Sequence, residues 1–271
     1  MKIIRQIIDF YIEASIHVAF SVVALFFISA IYLNISYDCN VAFFVFFSSI
    51  VGYNFVKYDE LARVKKVLLT NKFKAIITLS FFSALAAFYF FVKLSFCIQL
   101  VALLAFVLTV LYTLPFLPKH KNLRNFSGIK IYIVALAWTV VTVLLPVISD
   151  TVHFDSLFFL LLQRFNFVFV LLLIFEINDL NNDAVYLQTI PQKIGVTKTK
   201  KLACFLSILF FVLEYFINPI INKPFLVLMF ITFLLLLFTY FSSEKRNKYY
   251  TSFWVEALPV FWLFVLFCFS K

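Results

Sequence analysis

Apolar and polar positions fall in long blocks along the chain, without the short periods of a soluble helix or strand. Apolar runs occupy about residues 14–33, 41–56, 74–92, 96–116, 129–148, 156–176, 202–221, 225–241 and 252–269. Each approaches the roughly 20 apolar residues that an α-helix needs to cross hydrocarbon, the second being the shortest. In lipid a backbone must satisfy its own hydrogen bonds, and a run of this length does so as a helix. The pattern therefore predicts an all-α, polytopic fold of nine transmembrane helices, a single integral domain over residues 1–271.

Composition strengthens this reading. Of 271 residues 64% are hydrophobic and 13% charged, with mean hydropathy +1.04, which excludes a soluble globular domain. The 40 phenylalanines accompany abundant Ile, Lys and Asn and only 3 glycines, a codon-bias signature more than an aromatic cage. Cys39, Cys97, Cys204 and Cys268 form no CxxC pair, and His17, His120 and His153 are widely separated, so neither a disulfide framework nor a zinc site is indicated. The first residues, "MKIIRQIIDFYIEASIHVAF", carry Asp9 and Glu13 where a signal peptide needs an apolar core. They read as a retained amphipathic entry to the first span.

Charge then orients the spans. The polar segments before span one and after spans two, four, six and eight hold nineteen Lys and Arg residues, against Lys93, Lys223 and Lys271 on the other side. Basic loops stay in the cytoplasm, so the N-terminus is expected inside and the C-terminus outside a membrane such as the bacterial cytoplasmic one. Topology accounts for the net charge of +10, and no nucleic-acid partner is implied. Spans two and six both end in polar residues, "GYNFVKYDE" and "FEINDLNND", and spans four and eight end in "LYTLPFLPKHKN" and "LFTYFSSEKRNK". This four-span offset points to two four-helix units plus one helix.

The segment "FEINDLNND" concentrates the candidate chemistry. If the sixth helix continues past Phe175, Glu176, Asp179 and Asp183 stand at i, i+3 and i+7, within roughly 60° of one another. Clustered carboxylates raise one another's pKa unless a cation sits among them. Magnesium suits such a place, because it takes one or two carboxylates and completes its shell with water and phosphate oxygens. The plainer alternative is a solvated helix end beside a basic loop. A transporter would place such charges near mid-membrane, whereas these crowd one surface.

Asp179 and Asp183 followed by Thr189, Pro191 and Gly195 resemble the second signature of the UbiA family of intramembrane prenyltransferases. Tyr112-Thr113-Leu114-Pro115 at the end of span four is similar to a further motif of that family. The resemblance implies nine spans and two acidic motifs facing each other across a cavity, with loops 57–73 and 177–200 capping the site. It further implies magnesium-dependent transfer of a prenyl group from a polyprenyl diphosphate donor to a lipophilic, usually aromatic, acceptor within the membrane. Running the reaction in an apolar cavity keeps water from an allylic cation. On this resemblance Asp179 and Asp183 are the catalytic metal ligands and Asn54 helps position the metal or the diphosphate; Glu176 on the acidic face is a third candidate metal ligand, and Lys57 and Lys193, by their charge, are candidates for diphosphate contact.

The first signature departs from the family pattern, since Asn54 is present but Tyr58 and Ala62 replace two aspartates. Asp59 and Glu60 lie about 140° and 120° away from Asn54 on opposite sides. Three resolutions stay open: Lys57, Arg63 or Lys65 replaces metal charge, one metal remains on Asp179 and Asp183, or the chain is a catalytically silent isoprenoid or quinone binder. Elsewhere Arg164 and Glu214 reach similar depths and are expected to pair, Gln163 and Asn166 to hydrogen-bond between helices, and Glu256 with Pro259 to mark a helix end.

Overall fold

The computed structural model describes residues 2–64, 70–114, 128–148, 154–217 and 223–269, which are helical with no strand. A short amphipathic helix α1 (Lys2–Glu13) precedes α2 (Ile16–Leu33), α3 (Cys39–Val64), α4 (Asn71–Lys93), α5 (Phe96–Thr113), α6 (Lys130–Val147) and α7 (Phe154–Asn178). After a one-turn helix α8 (Ile190–Ile194) come α9 (Val196–Ile217), α10 (Lys223–Phe241) and α11 (Tyr250–Phe269).

Each predicted apolar run is the body of one helix, α2 to α7 and α9 to α11. Eight of these nine are long and apolar enough to cross a membrane. The exception is α9, whose 22 residues would span about 33 Å but include Lys198, Lys200, Lys201 and Glu214. It nevertheless makes the most extensive helix contact in the fold, against α7. Two boundaries move from those predicted. Helix α3 runs on to Val64 and α9 begins at Val196, because polar helix ends can project beyond hydrocarbon where hydropathy has already fallen.

Helices α2, α6, α7, α9, α10 and α11 close a ring, each packing on the next, while α3 packs on α2, α4 on α3, and α5 between α3 and α6. Local signals set the turns between them. Asn34 ends α2 in the left-handed conformation at φ 50°, and the Thr70 hydroxyl caps α4 by accepting from Phe73 N at 3.3 Å. Large apolar side chains face outward, among them Phe82, Phe88, Leu104 and Phe264, an arrangement that suits lipid and would aggregate in water. Lys57, Lys72 and Lys248 meet at Glu13, Lys130 and Lys193 flank the loop after α7, and Asn178 of α7 reaches Thr251 of α11, so these lysines share one end, here the basic end.

Arg164 and Glu214, expected to pair, each also hydrogen-bond a side chain on another helix. Arg164 is 2% exposed; its Nη2 donates to Ser29 Oγ at 2.9 Å and its guanidinium lies 5.5 Å from the Trp262 ring centre. Glu214 accepts from Gln163 Nε2 at 2.9 Å, and the same amide reaches Phe210 O at 3.3 Å. Gln163 thus bridges helices as expected, but as the neighbour of an acid. Replacing Gln163 with Leu removes a hydrogen bond from the buried Glu214 carboxyl group, worth about 1 kcal/mol or more. The variant should melt measurably lower in detergent; an unchanged melting point would show that Glu214 does not depend on this amide.

Candidate functional site

At the basic end α7 gives way to the acidic loop without losing helical direction at once. Asp179 N donates to Phe175 O at 2.9 Å and Asp183 N to Asp179 O at 2.9 Å, both i to i−4 bonds. Asp179 and Asp183 are therefore one turn apart on a continuing helical path, as their spacing predicted. The chain then turns through Val185–Leu187 into α8, where Thr189 N donates to Gln192 Oε1 at 3.0 Å and Pro191 needs no donor.

Glu176 has a different partner from the one its position on the acidic face suggested. It is 4% exposed and its Oε2 accepts from Ile190 N at 3.1 Å, so it satisfies an orphan donor at the head of α8. Among the described residues, no three His, Cys, Asp or Glu side chains converge in a metal-holding group. A three-carboxylate site with Glu176 is thus not formed, and the acidic pair stands by itself.

That pair is flanked by lysines. Lys130 Nζ lies 4.0 Å from Asp183 Oδ1, while Asp183 Oδ2 is buried with no hydrogen-bond partner. Burial first, and then Asp183, push the Asp179 carboxyl above the ordinary aspartate range; Lys130 and Asn178 oppose the shift. Lys193 is exposed on the other side of the loop, its Nζ 3.2 Å from where a Cβ on Gly128 would sit. Gly128 has φ +73° and donates from its N to Leu187 O at 3.1 Å, which fastens the head of α6 to the loop. Sequence reasoning counted Lys130 only as a topological charge. The signal available was "SGIK", a glycine and a lysine at the mouth of an apolar run.

The other predicted half of the site, on α3, is engaged with the N-terminal elbow. Ser15, at φ 60°, turns the chain from α1 into α2. The carbonyl of Glu13 accepts from Lys57 Nζ at 3.2 Å and Tyr58 OH at 2.8 Å, and that of Ala14 accepts from Asn54 Nδ2 at 3.1 Å. Asn54 Nδ2 also donates to Ser80 Oγ at 2.9 Å, leaving its buried Oδ1 without a partner. A helix end presents carbonyls that lack intrahelical donors, and these three side chains supply donors. An aspartate at position 58 would supply none, which gives Tyr58 a physical reason. Lys57 additionally lies in electrostatic range of Glu256 on α11, while the charges acting on Asp179 are Asp183 and Lys130. The structure thus holds Asn54 and Lys57 to the elbow, and sets Asp183 beside Lys130.

No family model and no curated protein matches the chain. Among solved structures, one from work on a digeranylgeranylglyceryl phosphate synthase in membranes is 15% identical, with a TM-score of 0.56 over 97% of this chain and 96% of that chain. The fold is shared from end to end. At this identity the likeness establishes a polytopic helical architecture and leaves the chemistry to the residues. Of the other residues that carried the family resemblance, Tyr112 is buried and Thr113 donates to Thr109 O at 2.8 Å, while Pro115 lies outside the described residues. Arg63 and Lys65, candidates for replacing metal charge, carry no described side chain. Gly195, at φ +82°, ends α8 where a side chain would be strained.

Proposed function

We propose that this protein transfers a prenyl group from an isoprenoid diphosphate to a lipophilic acceptor within the membrane. The observation that carries the reading is the acidic pair: Asp179 and Asp183 one turn apart, Asp183 Oδ2 buried and uncommitted, at the end of an apolar ring. Its support is the shared fold with a synthase and the resemblance of the surrounding residues to the UbiA signature.

Two carboxylates with one oxygen free fit magnesium in its usual mode, with phosphate and water completing the shell. When bound, the metal would draw charge from the departing diphosphate. Asp179 and Asp183 would hold it, Lys193 would meet the diphosphate oxygens, Lys57 would do so only by leaving the Glu13 carbonyl, and Asn54 Oδ1, without a partner, would be a further acceptor for the cation. The apolar interior would take the prenyl chain and exclude water from the developing cation. The basic end would face the cytoplasm, with the N-terminus inside and the C-terminus outside.

A second reading, a silent isoprenoid or quinone binder, is favoured by the commitment of Asn54, Lys57 and Tyr58 to the elbow. Purified protein given labelled prenyl diphosphates with and without magnesium separates the two. Magnesium-dependent binding followed by turnover with any lipophilic acceptor is expected. Tight binding indifferent to magnesium, with no turnover, would leave the binder.

A further inference from the structure

We propose that Lys130 is the resident counter-ion of the acidic pair, and that it moves from Asp183 to the diphosphate when the donor arrives, so that the divalent cation enters with the donor. This inference rests on the prenyl-transfer reading above and concerns a residue that neither the sequence motifs nor the fold likeness assigns.

Position comes first. Lys130 is the first residue of α6, and the turn before it is held to the acidic loop by the Gly128–Leu187 bond of 3.1 Å. Its ammonium lies 4.0 Å from Asp183 Oδ1 and its charge bears on Glu176 and Asp179 as well. Lys193, the other lysine beside the loop, sits against Gly128. Lys130 is therefore placed to counter the charge of the pair.

Mobility comes second. At 4.0 Å the contact is a long ion pair and not a hydrogen bond, and the Lys130 side chain is 31% exposed. A lysine is a point charge on a flexible four-carbon stem, able to exchange one anion for another within its reach. Its carboxylate partner is less free to move, because Gln192 Nε2 holds the Asp183 carbonyl at 3.1 Å.

Charge decides the order of entry. A bare dication approaching Asp179 and Asp183 meets a pair already counter-charged by Lys130, and like charges at contact distance repel. A dication arriving on a diphosphate brings Lys130 a new anionic partner, which releases the carboxylates to the metal. The ordinary surface pair that Lys130 and Asp183 would otherwise be has no such consequence for metal binding.

The test measures manganese binding by the full-length protein in detergent, by electron paramagnetic resonance, with and without inorganic diphosphate. Manganese stands in for magnesium, and inorganic diphosphate for the donor head. The parent is expected to bind manganese weakly alone and at least about tenfold more tightly with diphosphate. Lys130→Met should bind manganese alone about fivefold or more tightly than the parent, and the gain from diphosphate should shrink; one unit charge at this distance is worth that much even in a polar medium. Lys130→Arg should keep the parental pattern, and melting curves confirm that each variant is folded. If Lys130→Met matches the parent in both conditions while an Asp179→Asn, Asp183→Asn double variant loses manganese, Lys130 has no such role and the acidic site stands. If the double variant binds as the parent does, or the parent binds no manganese in either condition, the prenyl-transfer reading fails with it.

Discussion

Asp179→Asn should lower magnesium-dependent prenyl transfer by about 100-fold or more while melting no lower than the parent. The two effects have one cause. Burial and the neighbouring Asp183 raise the Asp179 carboxyl above its ordinary range. A folded-state pKa raised above the unfolded value means that stability is full below the unfolded value and declines as pH rises through the folded one. Wherever Asp179 is ionised it therefore costs stability, and the neutral amide relieves that cost while removing a carboxylate that would hold the metal. An Asp179→Asn protein that unfolds more readily than the parent would show that the carboxylate is a structural group. On the proposed function Asp183→Asn should lose transfer similarly, because its buried Oδ2 has no hydrogen-bond partner and would be the atom offered to the metal.

Asn54 is expected to matter in the opposite way, through folding more than through the metal. Replacing Asn54 with Leu leaves the Ala14 carbonyl without its side-chain donor and removes a bond to Ser80. An unsatisfied buried acceptor costs about 1–3 kcal/mol, so the variant should melt several degrees lower. Asn54→Asp discriminates the roles. It keeps an acceptor for a cation and removes both donated bonds, so a structural Asn54 predicts destabilisation at least as large as with Leu. Stability preserved by Asp and lost with Leu, together with tighter magnesium binding, would assign Asn54 to the metal instead.

The same elbow carries a pH expectation. Helix α1 is tied to the loop before α11 by Asp9, which accepts from Tyr249 OH at 2.6 Å and lies 2.9 Å from Lys248. Tyr249 first, and then Lys248, hold the Asp9 carboxyl below its ordinary range, and Asp9 raises Lys248. A lowered carboxylate stabilises above its unfolded pKa of 3.8 and is lost as pH falls through the folded value; a raised lysine stabilises below 10.5 and is lost above. Docking of α1, followed by hydrogen exchange or limited proteolysis, should be constant across neutral pH and loosen below about pH 4. Loosening between pH 5 and 8 would point to another group as the tie.

The carbonyl bonds at Asn54, Lys57 and Tyr58 also show why half of the site was legible and half was not. Asp179 and Asp183 keep their predicted relation because it depends on one helical turn, and the backbone bonds Asp179–Phe175 and Asp183–Asp179 maintain that turn. Glu176 shares the same face by spacing, yet its carboxylate is taken by Ile190, whose N–H arrives only when the chain folds back. Likewise Arg164 meets Ser29 from 135 residues away, a partner that depth-matching along adjacent spans does not reveal.

By itself, then, the sequence determined the nine helices, the basic segments between them and the one-turn spacing of the acidic pair. Each of these follows from interactions within a few residues or from the demand of lipid that a segment satisfy its own backbone. Only the tertiary structure decided which polar groups are spent. Asn54, Lys57 and Tyr58 close the N-terminal elbow, Glu176 caps α8, and Lys130 comes to Asp183. The physical reason is that a buried donor or acceptor is satisfied by whichever partner packing brings near, and packing of distant segments leaves no periodic trace in the chain.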